Sequence, residues 1–233
     1  MPQIYRCTLE LHDSLYFATR EIGRLYETEP ILHNYALAYV LGLVDNPQLN
    51  TAVVEHPYCY FCAEQVPQYK AHLIPLNQQG IYVTPGWAVH YTTTLNTWKY
   101  ADNCYHVEMK QTERNIPSFG RTKEIAPESL FEFFVITEKS LSLPRWVRIG
   151  KWASKAKLEA TLLPIPQQHQ AREINVSFPL NPLDVMFTNQ ILSYDTVNMP
   201  PVSLIRNVRM VGEFYTFEGL DLKLPAQMQY RFG

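Results

Sequence analysis

Residues 4–11 read Ile4-Tyr5-Arg6-Cys7-Thr8-Leu9-Glu10-Leu11. Tyr5, Cys7, Leu9 and Leu11 fall on one face at a period of two, with Ile4, Arg6, Thr8 and Glu10 on the other. That alternation predicts a strand with one buried side. A polar loop, Phe17-Ala-Thr-Arg-Glu-Ile-Gly-Arg24, leads to Thr28-Glu-Pro30, where an early proline beside an acidic residue predicts a helix start. Leu32, Tyr35, Ala36, Tyr39, Val40 and Leu43 then recur at helical spacing until Asp45-Asn46-Pro47 ends the run. Strand, loop and amphipathic helix, in that order, predict an α+β opening.

Residues 51–85 are rich in Pro, Tyr and Gln and have no clean period. Beyond Pro85-Gly86, Trp87, Val89, Tyr91, Thr93 and Leu95 alternate with Ala88, His90, Thr92 and Thr94, and read as one strand. Phe131–Thr137 reads as another. Between them, residues 99–127 carry Lys99, Lys110, Arg114, Arg121 and Lys123 and form a long excursion, a length that usually marks a functional loop. From Arg145 onward the chain reads as all-β, with Ala156, Leu158, Ala160 and Leu162 alternating against Lys155, Lys157, Glu159 and Thr161. Further strand-like runs lie at about 174–178, 184–192, 202–211 and 213–224. An α+β part, residues 1–140, is therefore expected before a β-rich part, residues 141–233, the two able to share one core.

With 233 residues and 46% hydrophobic content the chain can bury a substantial core, so global disorder is excluded. A formal charge of −2 and a pI near 6.4 argue against a generally basic nucleic-acid coat but leave local patches open. The longest apolar run, Tyr35–Val44, is about half of the ~20 residues a spanning helix needs. Met-Pro-Gln-Ile-Tyr-Arg lacks the basic-then-apolar order of a secretory signal. Cysteines at 7, 59, 62 and 104 form no dense disulfide framework. The expectation is a soluble, cytoplasmic protein with no membrane partner.

The clearest charge feature is Lys139–Lys157, which holds Lys139, Arg145, Arg148, Lys151, Lys155 and Lys157 and no acid. It carries +6 while the rest of the chain sums to −8. Trp146 and Trp152 are interleaved. Cations that neutralise phosphates beside aromatic faces that stack bases are what single-stranded RNA binding requires. Ile149-Gly150-Lys151 suits a tight turn where backbone approaches a ligand closely. The competing reading is a solvated basic hairpin with both tryptophans facing the core.

Other constellations are weaker. Cys59-Tyr-Phe-Cys62, with His56, Cys104 and His106, supplies enough ligands for zinc, but a second C-x-x-C is missing and the bracketed residues are bulky, so buried free thiols are the favoured reading. No metal or other cofactor is expected. His33 with Tyr35, or His90 with His106, could serve a metal-independent ribonuclease as acid and base, against a purely structural role for each. Asp13, Glu21, Glu27 and Glu29 cluster in sequence without a fixed separation. Phosphate-loop, dinucleotide and nucleophile-elbow motifs are absent.

Ile4–Asp13, Phe17–Glu29 and Leu32-His-Asn-Tyr-Ala-Leu37, together with Arg145-Trp-Val-Arg-Ile-Gly-Lys-Trp152 and Ser154-Lys155-Ala156, closely resemble the Csc-one family, the Cas-five-like subunit of type I-D CRISPR effector complexes (Cascade). The resemblance covers nearly the whole chain. It implies a ferredoxin-like (RRM-type) N-terminal domain of the repeat-associated RAMP superfamily, a protruding thumb insertion and a β-rich C-terminal part. Residues 99–127 are the thumb candidate and 51–85 the competing insertion. The aromatic signature of ordinary RRMs is missing, so base stacking on the sheet face is not implied. The implied role is non-catalytic and belongs to antiviral defence: capping the 5′ handle of the crRNA, joining a Cas-ten-type large subunit to a Cas-seven-like backbone subunit, and lying near the PAM and the entry of target DNA. The alternative is a metal-independent endoribonuclease that processes precursor CRISPR RNA. Arg145, Arg148, Lys151, Trp152 and Lys155 are the first candidates for RNA contact. Arg20 and Arg24 come second, with a surface network to Glu21, Glu27 and Glu29 as their other reading, and Arg114, Arg121 and Lys123 come third.

Overall fold

The computed structural model describes residues 2–44, 67–99 and 119–232. Its first half runs β1 (Gln3–Leu11), β2 (Arg20–Ile22), β3 (Leu25–Glu27), β4 (Ile31–Leu32), α1 (Asn34–Val40), α2 (Tyr69–Gln78), β5 (Ile81–Val83), β6 (Gly86–His90) and β7 (Thr93–Lys99). Its second half runs β8 (Phe119–Ile125), β9 (Leu130–Thr137), β10 (Trp146–Ile149), β11 (Ser154–Leu162), β12 (Gln167–Val176), α3 (Pro182–Val185), β13 (Gln190–Val197), β14 (Leu204–Phe217) and β15 (Leu220–Pro225).

β1 is the spine. It pairs antiparallel with β9 on one edge and β11 on the other, within a first sheet of order β10-β11-β1-β9-β6-β4, where β5 also pairs with β9. As the alternation predicts, Cys7, Leu9 and Leu11 are buried and Arg6 is exposed. Ile4 departs from the pattern and is buried too. Its face of β9 is covered at that end, where Phe134 packs edge-on against Phe178. β5 and β6 lie in line along β9, bridged at Thr84, whose hydroxyl accepts the Phe134 amide at 2.9 Å beside a proline that cannot donate. α1 packs against both β5 and β10, strands at opposite sides of the β1–β9 pair, so the sheet curls around it.

The helix begins at Asn34, not at Thr28. His33 caps it, its Nδ1 accepting the Tyr35 amide at 3.2 Å. The Thr28 hydroxyl instead donates to the Phe17 carbonyl and accepts the Phe17 amide. The segment expected as a polar loop contains a hairpin, β2–β3, turned at Gly23 with φ +61°. The strand expected from Trp87 through Leu95 breaks at Tyr91-Thr92, so that β6 stays in the first sheet while β7 joins a third sheet of order β2-β3-β8-β7. The 99–127 excursion accordingly starts at the end of β7 and contains β8, Lys99 standing opposite Phe119, while residues 100–118, like residues 51–66 of the 51–85 stretch, lie outside the described residues.

The second sheet has the order β12-β14-β13, with β15 on β14. Two expectations change here. The 184–192 run opens as a short helix, capped by Asn181 with Pro182 in its first turn. Residues 204–217 form one strand, not two: Gly212 marks no turn, but a place where a Cβ would collide with the Asn189 side chain. One continuous apolar core draws on both sheets, from Leu9 and Phe133 to Val208 and Leu224. No described helix is long and apolar enough to cross a membrane.

Where α1, β5, α3 and the C-terminal tail meet, Asp184 is fully buried. It accepts hydrogen bonds from the Asn34 side chain (2.9 Å), the Tyr82 hydroxyl (2.9 Å) and the Arg231 amide (3.0 Å). Burial outweighs these bonds and raises its pKa to about 7. His33 is moved the other way, burial lowering it to about 4.

The β10–β11 turn is strapped to the segment after β1. Gly150, at φ +80°, sits so close that a Cβ would lie 2.7 Å from Leu15 Cδ1 and 2.9 Å from the Tyr16 carbonyl oxygen. The Lys151 amide donates to that same carbonyl at 3.0 Å.

Two outcomes follow from these contacts. The native state holds a proton on Asp184 that the unfolded chain releases near its ordinary value, so stability falls as pH rises toward and through about 7. His33 opposes this below about 6.5, since there the unfolded chain binds the extra proton. Between about pH 6.5 and 8 the Asp184 loss, on the order of 1 kcal/mol, outweighs the remaining tail of the His33 titration, which offsets part of it. Urea midpoints measured across that interval are expected to fall for the wild type and to rise slightly for the less stable Asp184→Asn, in which only the His33 effect is left. Gly150→Ala is expected to cost about 1–3 kcal/mol in the same measurement, because both the φ and the space are wrong for a side chain.

Candidate nucleic-acid interface

Alternation along β10 and β11 sorts the basic stretch into an anchor and a face. Val147, Ile149, Ala156 and Leu158 are buried. Trp146 stands opposite Lys157, and Arg148 opposite Lys155, so the four share the outer side of the sheet. Lys155 Nζ lies 4.2 Å from the Trp146 ring centroid, and the His12 ring meets Trp146 edge-on at 5.0 Å. Trp146 is 43% exposed and Trp152 46%, so the reading in which both tryptophans face the core does not hold.

The turn adds a second aromatic surface. Trp152 lies against Tyr16, ring centroids 4.7 Å apart and planes tilted by 33°. Residues 12–16 hold the turn from below. The His12 amide donates to the Lys155 carbonyl (2.9 Å), the Lys155 amide to Asp13 Oδ2 (2.9 Å), and the Ser154 hydroxyl to the Ser14 carbonyl (2.5 Å). This support was missed in the sequence. Its only signal is His12-Asp13 at the end of a strand, which names no partner.

The cations differ in how firmly they are held. Arg148 donates to the Ala153 carbonyl and lies 3.7 Å from Asp13, both side chains largely in solvent. Exposed pairs of this kind are worth about 0–1 kcal/mol, little enough to be exchanged for a phosphate. Lys157 is paired with Glu159, whose carboxyl is held below the usual range first by that hydrogen bond and then by the charge of Arg145. Lys151 is exposed and its ammonium has no ion-pair partner among the described residues. Five sequence candidates, Arg145, Arg148, Lys151, Trp152 and Lys155, therefore share one hairpin with an open outer side.

Arg20 is placed differently. Its Nε and Nη2 donate to Glu27 Oε2 at 3.0 and 2.6 Å, and it also pairs with Glu29 at 3.4 Å. Lys123, opposite Glu27 across β3–β8, approaches the other carboxylate oxygen at 3.5 Å. The Arg20 hydrogen bond is the main cause that pulls the Glu27 carboxyl down. The surface network weighed as Arg20's other reading is thus present, with Glu27 and Glu29 as its acids. Arg24 and Arg121 are exposed neighbours, the Arg121 amide donating to the Arg24 carbonyl at 2.8 Å. Arg114 lies outside the described residues.

His33 is not poised as an acid or base. Its Nδ1 accepts from the Tyr35 amide, so Nε2 carries the proton and donates to the Val202 carbonyl at 3.1 Å. Burial raises the Tyr35 phenol to about 12. His90 is exposed at the end of β6, whereas His56, Cys59, Cys62, Cys104 and His106 lie outside the described residues. Among the described residues no cluster of His, Cys, Asp or Glu could hold a metal ion. Cys7 is a core thiol whose pKa burial raises to about 12.

Comparison with known proteins bears on the whole chain. A chain of the "Type III-B Cmr-beta bound to cognate target RNA and AMPPnP" aligns over 88% of this chain and 86% of its own, at 8% identity and a TM-score of 0.45. A search of curated protein sequences returns no match. The family model for "Type I-D CRISPR-associated protein Cas5/Csc1" matches residues 2–233, and over that length the chain belongs to the type I-D CRISPR-associated Cas5/Csc1 family.

Proposed function

We propose that this protein is a non-catalytic, RNA-binding subunit of a type I-D CRISPR effector complex that caps the 5′ handle of the crRNA. The observation that carries the reading is the β10–β11 hairpin, which turns Trp146, Arg148 and Lys155 outward together and presents Lys151 and Trp152 at its turn. Phosphates need cations that can change partners, and splayed bases need exposed aromatic faces. The hairpin supplies both. In a chain of net charge −2 this concentration of cations is local, as binding to a handle requires and coating of nucleic acid does not.

The ferredoxin-like reading of the first sheet is supported by its order. β5 and β1 flank β9, α1 and α2 lie between β1 and β5 in sequence, and β11 pairs on the far side of β1. That is a split β-α-β unit with two added edge strands, β11 and β10, and in sequence β10 takes the place of a second crossover helix. The β7–β8 arms belong to the thumb, which presses on the RNA between handle and guide. The protein joins the large subunit to the first backbone subunit and sits near the entry of target DNA. The engagement of both His33 nitrogens supports a subunit that holds RNA without cutting it.

Co-expression of the tagged chain with candidate CRISPR subunits and a repeat–spacer array tests the reading. Short RNAs of uniform 5′ end, recovered with a backbone and a large subunit, are the expected result; recovery of the chain without RNA or partners, despite their expression, overturns it. Within that complex Arg148→Ala combined with Lys151→Ala is expected to weaken handle binding. It should also lower the slope of log affinity against log salt by about 1.4, that is ~0.7 for each lost phosphate contact on a single strand. An unchanged slope returns the hairpin to a solvated surface feature.

A further inference from the structure

Beside the hairpin turn lies a cleft of 260 Å³. It runs between the β10–β11 turn, the segment before β2, the start of α1 and residues 199–201. Its walls are mostly apolar and aromatic, with Phe17, Ile31, Ala36, Tyr69, Met199 and Pro200 prominent, and Lys151 stands at its rim. The adjoining Trp152–Tyr16 pair presents a half-exposed ring next to that cation.

Two polar side chains of the cleft, His33 and Thr19, are already in use, and the Tyr69 hydroxyl is the third polar group in its wall. His33 accepts with Nδ1 and donates with Nε2 to the protein's own backbone. The Thr19 hydroxyl donates to the Glu27 carbonyl at 2.8 Å and accepts the Glu29 amide at 2.8 Å. What remains is an apolar slot with one available cation, smaller than the ~300–1,000 Å³ of sites for drug-sized ligands and therefore sized for a single ring system. A nucleobase attached to its phosphate has that combination of a flat hydrophobic body and one nearby negative charge.

We propose that this cleft receives one unstacked nucleobase of the bound RNA, with Lys151 on the phosphate beside it. The inference rests on the RNA-binding reading above and adds where a base goes and how it is read. Because His33 and Thr19 are already bonded and the rest of the wall is largely apolar, the position is held mainly by burial and stacking, which any of the four bases supplies, with the Tyr69 hydroxyl the one side-chain group left for a base edge. This differs from hydrogen-bonded readout, which leaves buried groups unpaired when the wrong base enters.

The test uses the assembled complex, or the full chain, with a synthetic RNA of the repeat-derived handle sequence in which each nucleotide in turn is made abasic. One position is expected to lose affinity roughly tenfold when the base is removed and to change little when it is exchanged for another base. Ala36→Leu, which fills the slot from α1 with a good helix former, is expected to abolish that difference, so that intact and abasic RNAs bind alike. A flat abasic scan overturns the proposal while leaving handle binding intact, and so does an abasic penalty unchanged in Ala36→Leu. A position that accepts only one base overturns the claim about how it is read. Failure of every RNA to bind removes the RNA reading itself, a result the scan separates from the others. The scan on wild-type protein needs no variant, so it stands even if Ala36→Leu fails to fold.

Discussion

β1 is hydrogen-bonded along both edges, and its register fixes what every neighbouring strand presents. Leu11 stands opposite Ala156 and Glu10 opposite Lys157 on one side, Cys7 opposite Phe133 and Arg6 opposite Phe134 on the other. A slip of one residue would turn Cys7, Leu9 and Leu11 toward solvent and carry charged groups inward, a change too costly for alternative registers to compete. The consequence reaches two strands further. Once Ala156 is pinned to the buried side by Leu11, Lys155 and Lys157 must face out, and β10, pairing with β11, must turn Trp146 and Arg148 the same way. The outward cationic face is thus a by-product of the strand that builds the core.

Charge alone does not rank the candidate residues; partner quality does. Arg20 grips Glu27 through two of its nitrogens and reaches Glu29 as well, while Lys123 meets the remaining Glu27 oxygen, so three strands of the third sheet are tied by one acidic centre. Releasing Arg20 to a phosphate would leave Glu27 with Lys123 alone and take away the Arg20 partner of Glu29. Arg148, by contrast, holds a single exposed acid at 3.7 Å, and Lys151 none among the described residues. Such a loosely paired set can be neutralised by a polyanion at little internal cost.

Much of this is legible in the sequence. The period of two in β1 and across residues 155–162 is plain in the sequence, and β9, buried on both faces, reads instead as a short continuous apolar run. The failures have physical reasons. β2 and β3 are three residues each, too short for a period to register. β6 and β7 share one uninterrupted alternation although they serve different sheets, since the break at Tyr91-Thr92 carries neither Gly nor Pro. The helix start was displaced because Thr28 spends its hydroxyl on Phe17 and a histidine, an uncommon cap, takes its place. Asn181-Pro182 was a readable cap and first turn, masked by the strand-like residues around it. Gly150 makes the close approach that its place in a tight turn suggests, and within the chain its neighbours are Leu15 and Tyr16. For the site, the sequence could nominate the hairpin; the support from His12–Tyr16 and the adjoining cleft arise only from packing.

His33 joins these parts. Its ring caps α1 through Nδ1, and through Nε2 it fixes the carbonyl of Val202, one residue beyond the diproline wall of the cleft. Both bonds require the neutral tautomer with its proton on Nε2, since a protonated ring would lose the acceptor that the Tyr35 amide needs. Burial holds the pKa at about 4, so the ring stays in that form throughout the range in which an unperturbed histidine would titrate. A charged histidine beside Lys151 would have added a second cation to the slot and made it a site for phosphate. Kept neutral and fully bonded, His33 leaves the charge at the rim and the interior apolar, and that separation gives the cleft room for a base while its phosphate stays outside.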